Sequence, residues 1–369
     1  MSDNRRRNRA IKGALKQLYP TEPTGNLARH LSTLAMLIGG IVGSQRVNLP
    51  AIASKAPNGT KRESQVKRFE RLVDNERIDL ELYYLPFVST LLAGLATLGP
   101  LVLIMDGSEV GRNCMTLMLS VLYQGRALPL VWMVRQGKKG HFPENMHVEL
   151  VAQLQSLLPD KAEVVFLGDG EFDGPDLLAT IAAQGWQYVC RTGKNILLGV
   201  DGEWFPMGEV DLIRGQRLTM PDVLFTHQGL GPVLVILWWD AAYKAPIYLV
   251  TNMTAVETAC SWYRKRARIE TFFSDQKSRG FRLDKSHIAN PQRLARLMIA
   301  ACLAYLWIIF LGALALRDGW MRTIHRARRC DLSLFQLGLT LLDHLLNEGL
   351  PIPVDFRLPF QGGAKSANM

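Results

Sequence analysis

Apolar runs of strand length alternate with helical stretches through the middle of the chain. Leu101–Met105 and Val164–Gly168 are continuous apolar runs typical of buried strands, and Asp-Gly follows each of them. Two further apolar runs joined by a Gln-Gly turn predict a hairpin between these strands. The other elements predicted up to residue 190 are helices at Pro143–Leu158 and Pro175–Gln184 and a strand at Trp186–Cys190. The predicted order is three strands, helix, strand, helix, strand.

A polar stripe marks the segment Trp262–Lys277. If the segment is one helix, a rotation of about 100° per residue places the four side chains of the stripe within an arc of about 60°. Apolar residues of the segment fall on another side, which can pack against the protein. An ordinary solvated charged face is the alternative explanation. The stripe consists of Tyr263, Arg266, Glu270 and Lys277.

Carboxylates in this pattern indicate phosphodiester chemistry. Basic side chains hold a phosphate backbone, and a carboxylate among them can bind Mg²⁺ when other carboxylates join it. Asp106 and Asp169 follow the two apolar strands, at the edge of an α/β sheet where ligands bind. We therefore predict a site formed by Asp106, Asp169 and Glu270. Glu109 and Asp173 are nearby rivals for the first two positions.

The order of elements resembles the ribonuclease-H-like Asp-Asp-Glu transposases. Tyr263-x2-Arg266-x3-Glu270-x6-Lys277 is similar to the Tyr-Arg-Glu-Lys signature of bacterial insertion-sequence transposases of the IS-four type at all four positions. The resemblance covers about residues 60–320. One departure is that the second Asp is followed by Gly170-Glu171-Phe172, whereas the family usually has Arg-Gly-Phe or Arg-Gly-Tyr.

The resemblance implies a cut-and-paste DNA transposase. Asp106, Asp169 and Glu270 would bind two Mg²⁺ ions, with Mn²⁺ as a possible substitute, and cleave and transfer strands of double-stranded DNA. Tyr263 and the two cations of the signature, Arg266 and Lys277, would position the cleaved strand. The family also implies a homodimer that holds two transposon ends, in the bacterial cytoplasm and associated with the nucleoid.

The 101-residue interval from Asp169 to Glu270 is too long for one helix and one strand with short loops. Short apolar stretches between residues 196 and 250 predict a β-rich insertion, which the family also carries. Related transposases stack a flipped base on an aromatic residue of this insertion. Trp238 and Trp239 are candidates, and Trp204 is a weaker one, although a Trp in an apolar strand usually belongs to the core.

Positive charge is concentrated at the N-terminus. The net charge is +10, and residues 1–77 hold 15 Lys and Arg against 6 Asp and Glu, whereas residues 101–250 hold 11 against 16. Such a partition favours binding to nucleic acid, although a membrane surface would attract the same basic region. Residues 1–10 contain four Arg and predict a disordered tail that contacts phosphates.

The N-terminal third predicts a helical DNA-binding region. Leu27–Val42 and Leu49–Lys55 are apolar helices, and Thr60–Val73 begins with Thr60 and Glu63 in a capping-box pattern. A solvated helix in a bundle is the alternative. The cations that we predict to contact DNA from this third helix are Lys61, Arg62, Lys67, Arg68 and Arg71.

The uncharged run Leu297–Leu316 is long enough to cross a bilayer, but it is solitary and Arg residues lie on both sides. We therefore predict a buried helix and no membrane partner. The five Cys are scattered without a C-x-x-C pair, which indicates reduced thiols and no zinc site.

The predicted fold class is α/β: a ribonuclease-H-like catalytic core with a β-rich insertion, and an all-α N-terminal DNA-binding domain. A ribonuclease-H-like nuclease or resolvase would use the same carboxylates without joining strands, and a non-catalytic DNA-binding regulator would need only the basic N-terminus. The predicted regions are the helical domain at 1–95, the two parts of the core at 99–195 and 253–320, the insertion at 196–252 and a C-terminal helical region at 321–369.

Overall fold

The structure, a computed structural model, describes residues 1–57, 59–138, 140–326 and 330–358. The described residues before the first strand are helical. The predicted apolar helices at Leu27–Val42 and Leu49–Lys55 are confirmed, with small changes at their ends. The helices before the first strand are α1 Asp3–Lys16, α2 Gly25–Ser44, α3 Leu49–Ser54, α4 Arg62–Asp74, α5 Leu80–Tyr83 and α6 Leu85–Ala96.

The predicted order of three strands, helix, strand, helix, strand is confirmed. The hairpin turns at Gln124-Gly125, where both residues have positive φ. The elements are β1 Leu101–Val110, β2 Cys114–Tyr123, β3 Arg126–Gln136, α7 Glu144–Gln155, β4 Val164–Gly168, α8 Pro175–Ala183 and β5 Gln187–Thr192.

The predicted β-rich pattern between residues 196 and 250 is confirmed, and helices follow it; we call this stretch the insertion, although its role as an insertion stays a prediction. Its strands are β6 Leu197–Val200, β7 Glu203–Pro206, β8 Arg217–Phe225, β9 Leu230–Trp238 and β10 Ile247–Thr251. The helices after it are α9 Val256–Tyr263, α10 Arg268–Gln276, α11 Pro291–Arg317, α12 Met321–Ile324 and α13 Leu334–Asn347. Part of the predicted C-terminal region, residues 327–329 and 359–369, lies outside the described residues.

The described strands form one ten-stranded sheet, so the protein is mixed α/β as predicted. The strand order is β3-β2-β1-β4-β5-β10-β9-β8-β6-β7. Strands β1, β4 and β5 run parallel to one another, whereas β1–β2 and β2–β3 are antiparallel. Because β10 pairs antiparallel with β5, the insertion continues the central sheet.

Helix α11 is the centre of the helical layer. Two described helices are apolar and long enough to cross a membrane, α2 and α11, and 61% and 89% of their apolar windows are buried inside the protein. The prediction of a buried helix at Leu297–Leu316 is therefore confirmed. Helix α11 crosses α13 where Gly312 and Gly338 face the backbone of the opposite helix.

The helical N-terminal region and the sheet share one hydrophobic core. The Tyr84 hydroxyl donates to the Pro129 carbonyl of β3 at 2.7 Å, and the Tyr84 ring packs on Trp132 with 4.7 Å between centroids. On the α11 side, Arg296 donates to the Val73 carbonyl at 3.1 Å. The boundary after residue 95 stays a prediction, and apolar contacts cross it.

The predicted disordered tail is wrong, because residues 3–16 form α1. Ile11 and Leu15, one turn apart, are fully buried. The Arg6 guanidinium donates to the Leu346 carbonyl at 2.9 Å and also to those of Leu345 and Leu350, so it binds carbonyls at and just beyond the end of α13. Arg7 is 6% exposed. The prediction made from arginine content alone missed this packing, because the long aliphatic part of an Arg side chain can be buried while its guanidinium group finds hydrogen-bond partners.

Candidate functional site

Asp106 and Asp169 are brought together by the pairing of β1 with β4. The parallel register pairs Leu101 with Val164 and Ile104 with Leu167. Continued by two residues, this register sets Asp106 beside Asp169. The difference in residue number between Asp169 and Asp106 is therefore the same as that between paired residues of β4 and β1.

Asp106 does not follow the end of its strand, which corrects the sequence prediction. β4 ends at Gly168, but β1 continues to Val110. The reason is that β2 pairs with β1 along this whole length, with Asp106 opposite Met118. Strand β1 remains paired with β2 beyond the point where its pairing with β4 ends. Asp106 thus lies within a strand, whereas Asp169 begins a loop.

The prediction of a single helix through Trp262–Lys277 is also wrong. Helix α9 ends at Tyr263, and α10 begins at Arg268. Between them the backbone makes three-residue hydrogen bonds, including Arg266 N to Tyr263 O at 2.9 Å and Arg268 N to Lys265 O at 3.0 Å. These tighter turns do not rotate by the α-helical angle, so the predicted arc does not hold across them.

The Arg266 guanidinium contacts the three predicted carboxylates. Its Nη2 lies 2.5 Å from Asp169 Oδ2 and 3.4 Å from Asp106 Oδ2, and its Nη1 lies 3.2 Å from Glu270 Oε1. The Arg266 and Asp106 side chains are 15% and 16% exposed, whereas that of Glu270 is 64% exposed. Residues from β1, the loop after β4 and the α9–α10 segment therefore meet at one half-open site.

The local electrostatics disfavour a negative charge on Asp106. Burial raises the pKa of Asp106 to about 7, Arg266 opposes this shift, and the charges of Asp169 and Glu270 add to it. Like charges held together in a poorly solvated place require a cation to compensate them. In the structure the Arg266 guanidinium provides that compensation.

Lys277 and Tyr263 lie beside this cluster. Lys277 Nζ donates to Ser108 Oγ at 2.5 Å. Burial lowers the pKa of Lys277, and Glu109, Asp284 and Asp106 oppose that shift. Burial also raises the pKa of Tyr263 to about 12. Sequence reasoning missed Ser108, although alternation along a strand places it on the same face as Asp106, two residues away.

The rivals Glu109 and Asp173 occupy different surroundings. Glu109 is exposed at the far end of β1. Burial raises the pKa of Asp173, and the nearby Thr192 side chain opposes the shift. Of Asp169 and its rival Asp173, Asp169 is the one with an ion pair to Arg266.

Glu171 lies two residues after Asp169, in the stretch where the resembled family has Arg-Gly. It accepts a hydrogen bond from the Phe142 amide at 2.5 Å and lies 3.2 Å from His141 Nδ1. Burial acts to raise the pKa of Glu171, but the nearby His147 ring, the hydrogen bond from the Phe142 amide and the His141 ring lower it overall. Here Glu171 ties the loop before α7 to the loop that carries Asp169.

The predicted DNA-contacting cations of α4 are exposed, but they face two sides. Arg68 and Arg71 line a cleft with Arg29 of α2, and Arg68 Nε donates to Thr33 Oγ1 at 3.0 Å. The other side holds Arg62 and Lys67, next to Lys61. The predicted capping box is wrong, because the helix begins after Lys61 and the Thr60 hydroxyl instead accepts a bond from Gln65.

The insertion aromatics differ in exposure. Trp238 is 5% exposed, and the Arg264 guanidinium lies 4.6 Å from its ring centroid. Trp239 is half-buried and donates from Nε1 to the Tyr243 carbonyl at 3.3 Å. Trp204 is 39% exposed. Base stacking by any of them stays a prediction, and the core explanation fits the burial of Trp238.

The donor set fits a hard divalent cation. Asp106, Asp169 and Glu270 offer carboxylate oxygens, the ligands preferred by Mg²⁺. Within the part of the chain that the structure describes, no group of three or more His, Cys, Asp or Glu side chains is clustered closely enough to hold a metal ion as it stands. The three carboxylates are instead gathered around Arg266.

Comparison with known proteins assigns the family. The family model described as the transposase DDE domain matches residues 98–307, more than half of the 369-residue chain. The matched range contains the sheet, the insertion, Asp106, Asp169 and Glu270. The chain therefore belongs to the DDE transposase family. It is a DNA transposase, and DNA is its partner.

A solved structure gives a weaker similarity. The cryo-EM structure of a piggyBac transposase synaptic complex with hairpin DNA matches 98% of this chain and 84% of that chain, at 11% identity and a TM-score of 0.47. This value is too low to support a conclusion about the present fold or site. No protein of curated function matches the sequence.

Proposed function

We propose that the protein is a cut-and-paste transposase whose carboxylates Asp106, Asp169 and Glu270 hold Mg²⁺, or Mn²⁺ in its place. The observation that carries this proposal is the contact of one guanidinium with carboxylates from three separate parts of the chain. Acidic side chains rarely converge in a poorly solvated place without a function that needs their charge.

The topology supports a ribonuclease-H-like core. The first five strands have the order β3-β2-β1-β4-β5. Strand β2 pairs antiparallel with both β1 and β3, whereas β4 and β5 run parallel to β1. Asp106 lies on β1 and Asp169 directly follows the adjacent strand β4, which agrees with such a core. We assign the core to residues 99–195 and 253–320, with 196–252 as an insertion into it.

When bound, a pair of divalent ions supplies activation of water or a 3′-hydroxyl and stabilisation of the leaving oxygen. The protein's own residues hold the DNA. Lys277 and Arg266 place positive charge beside the carboxylates, where the scissile phosphate would be bound. Tyr263 lies at the same edge and, with its raised pKa, remains a neutral hydrogen-bond donor. These three residues would position the cleaved strand.

The remaining assignments extend the family membership. The Tyr-Arg-Glu-Lys spacing supports an insertion-sequence transposase of the IS-four type, acting in the bacterial cytoplasm on nucleoid DNA. Residues 1–95 would recognise terminal inverted repeats, residues 321–369 would be a C-terminal helical region, and a homodimer would hold two ends. The excess of positive charge in residues 1–77 supports the first of these roles.

Strand transfer tests the proposed activity. Incubation with pre-cleaved transposon ends, target DNA and Mg²⁺ is expected to give joined products, because a transposase uses the 3′-hydroxyl as a nucleophile. Gel analysis of labelled ends measures joining separately from cleavage. Cleavage without joining would instead indicate a nuclease or resolvase, and DNA binding with neither reaction would indicate a regulator.

Salt dependence tests the basic surface of α4. Each lost phosphate contact reduces the slope of log affinity against log salt concentration by about 0.9. We therefore expect the full-length variant with all five cations replaced by Ala to have a slope flatter by several units, measured by fluorescence anisotropy with duplex DNA. The substituted residues are Lys61, Arg62, Lys67, Arg68 and Arg71.

The matched control is the Glu63→Ala, Glu70→Ala variant, which changes the same helix without removing a cation. Its slope should not become flatter. An unchanged slope in the five-site variant would show that these cations do not contact phosphate and that α4 is an ordinary solvated helix.

A further inference from the structure

We propose that Arg266 is the internal counter-ion of the carboxylate cluster in the DNA-free protein, and that it competes with divalent metal until a DNA phosphate draws it away. Metal binding and DNA binding would then strengthen each other. The inference rests on the proposed function, in which the same carboxylates are the metal ligands.

Competition follows from the contacts. Arg266 uses both terminal nitrogens on the cluster: Nη2 on Asp169 and Asp106, and Nη1 on Glu270. The guanidinium therefore faces one oxygen of each carboxylate that would hold the metal ion. Two cations in one poorly solvated place also repel each other. Asp169 Oδ2 cannot keep its 2.5 Å contact and at the same time be a free metal ligand.

The guanidinium is not fully satisfied in this position. Its Nε is buried and has no hydrogen-bond partner among the described residues. A buried donor without a partner is unfavourable, so this arrangement gives Arg266 less than its full hydrogen-bonding capacity. A guanidinium matches a phosphate with two parallel hydrogen bonds. A DNA backbone at the site would therefore be a strong alternative partner.

The location of Arg266 permits such an exchange. It lies in the short segment between α9 and α10, at the half-open edge of the site, and not inside a long helix. Glu270, on the first turn of α10, has a 64% exposed side chain. Moving the Arg266 side chain toward a bound strand thus requires rotation of one side chain and leaves the three carboxylates in place.

The contacts of Arg266 with the carboxylates would limit metal binding in the absence of DNA. By linkage, a phosphate that removes Arg266 from the cluster raises metal affinity by the same factor as metal raises DNA affinity. A transposase with this property assembles its metal-dependent site on DNA in preference to assembling it in solution. Arg266 is then a positioning residue for the carboxylates before it contacts the strand.

Isothermal titration of full-length protein with Mn²⁺ tests the proposal directly. Without DNA, Arg266→Gln is expected to bind Mn²⁺ about tenfold more tightly than the wild type, within the usual range of coupling between two sites. Arg264→Gln is the matched control, because Arg264 is two residues away but pairs with Asp240 and Trp238. Its Mn²⁺ affinity should equal that of the wild type.

A duplex of unrelated sequence is the second probe. Saturating duplex should raise the Mn²⁺ affinity of the wild type by a similar factor, after subtraction of Mn²⁺ binding to the duplex alone. It should change that of Arg266→Gln little, since the competitor is already gone. Equal or weaker Mn²⁺ binding by Arg266→Gln in the absence of DNA would overturn the proposal, because it would show that Arg266 assists the metal.

Two further variants keep the outcomes separate. If Arg266→Gln does not fold, Arg266→Lys retains the charge with a single point of contact, and an intermediate increase in Mn²⁺ affinity is expected. Unchanged or weaker affinity in Arg266→Lys would then overturn the proposal. Asp106→Asn should abolish Mn²⁺ binding. Wild-type binding by Asp106→Asn would refute the proposed metal ligands themselves, independently of the competition.

Discussion

Replacement of Asp106, Asp169 or Glu270 by its amide is expected to reduce cleavage of transposon ends by at least about 1,000-fold. A lost metal ligand removes several kcal/mol of transition-state stabilisation, and about 4 kcal/mol corresponds to this factor. Binding of the uncleaved duplex should change by no more than the about tenfold coupling proposed between metal and DNA, because the basic surfaces are untouched. Single-turnover cleavage and a mobility-shift assay measure the two quantities.

The neighbouring carboxylates provide the controls for this experiment. Asp173→Asn and Glu109→Gln should cleave within a small factor of the wild-type rate, since Asp169 is the carboxylate that pairs with Arg266 and Glu109 is exposed. Normal cleavage by any of the three amide variants would remove that residue from the site. If Asp173→Asn abolished cleavage while Asp169→Asn still cleaved, the second metal ligand would have been assigned to the wrong carboxylate.

The convergence of Asp106 and Asp169 was predictable because it depends on local pattern. Two apolar runs followed by Asp-Gly identify parallel strands, and parallel strands place equivalent positions side by side. The end of β1 was not predictable in the same way. Its continuation to Val110 depends on pairing with β2, and the apolar run gives no sign of it because Gly107, Ser108 and Glu109 are not apolar.

The α9–α10 segment shows the limit of helical periodicity. Its sequence fits one helix, yet successive cations have separate partners: Arg264 lies over Trp238, Lys265 over Trp262, and Arg266 on the carboxylates. Those partners lie in other parts of the chain or at the helix end, so tertiary contacts decide where the helix is interrupted. The four signature residues remain near one site, although the geometry that brings them there is different from the predicted one.

The prediction of a disordered tail at residues 1–10 was wrong for a related reason. Four Arg in ten residues are typical of a solvated tail, and the partners of Arg6 are carbonyl groups about 340 residues away along the chain. Composition reports the charge of a segment and contains no information about such distant acceptors. The charge of residues 1–77 therefore overstates the surface available to DNA, because Arg6 and Arg7 are used inside the fold.

The crossing of α11 and α13 leads to the largest expected effect on stability. A methyl group on Gly338 would overlap the Ile308 carbonyl oxygen, and one on Gly312 would overlap the Leu334 carbonyl oxygen. The obstructing atoms are backbone, so relief requires the two helices to separate and lose apolar contact. We expect Gly338→Ala to lower the free energy of unfolding by about 3 kcal/mol or more.

Gly13→Ala is the matched control, because Gly13 lies inside α1 and a methyl group there meets nothing within 4 Å. Alanine is favoured over glycine in a helix by about 1 kcal/mol, so this variant should be as stable as the wild type or more stable. Opposite signs for the same substitution would show that close approach, and not helix propensity, requires glycine at the crossing. Urea denaturation followed by circular dichroism measures both, and a Gly338→Ala midpoint equal to that of the wild type would mean that α11 and α13 pack less closely than the structure places them.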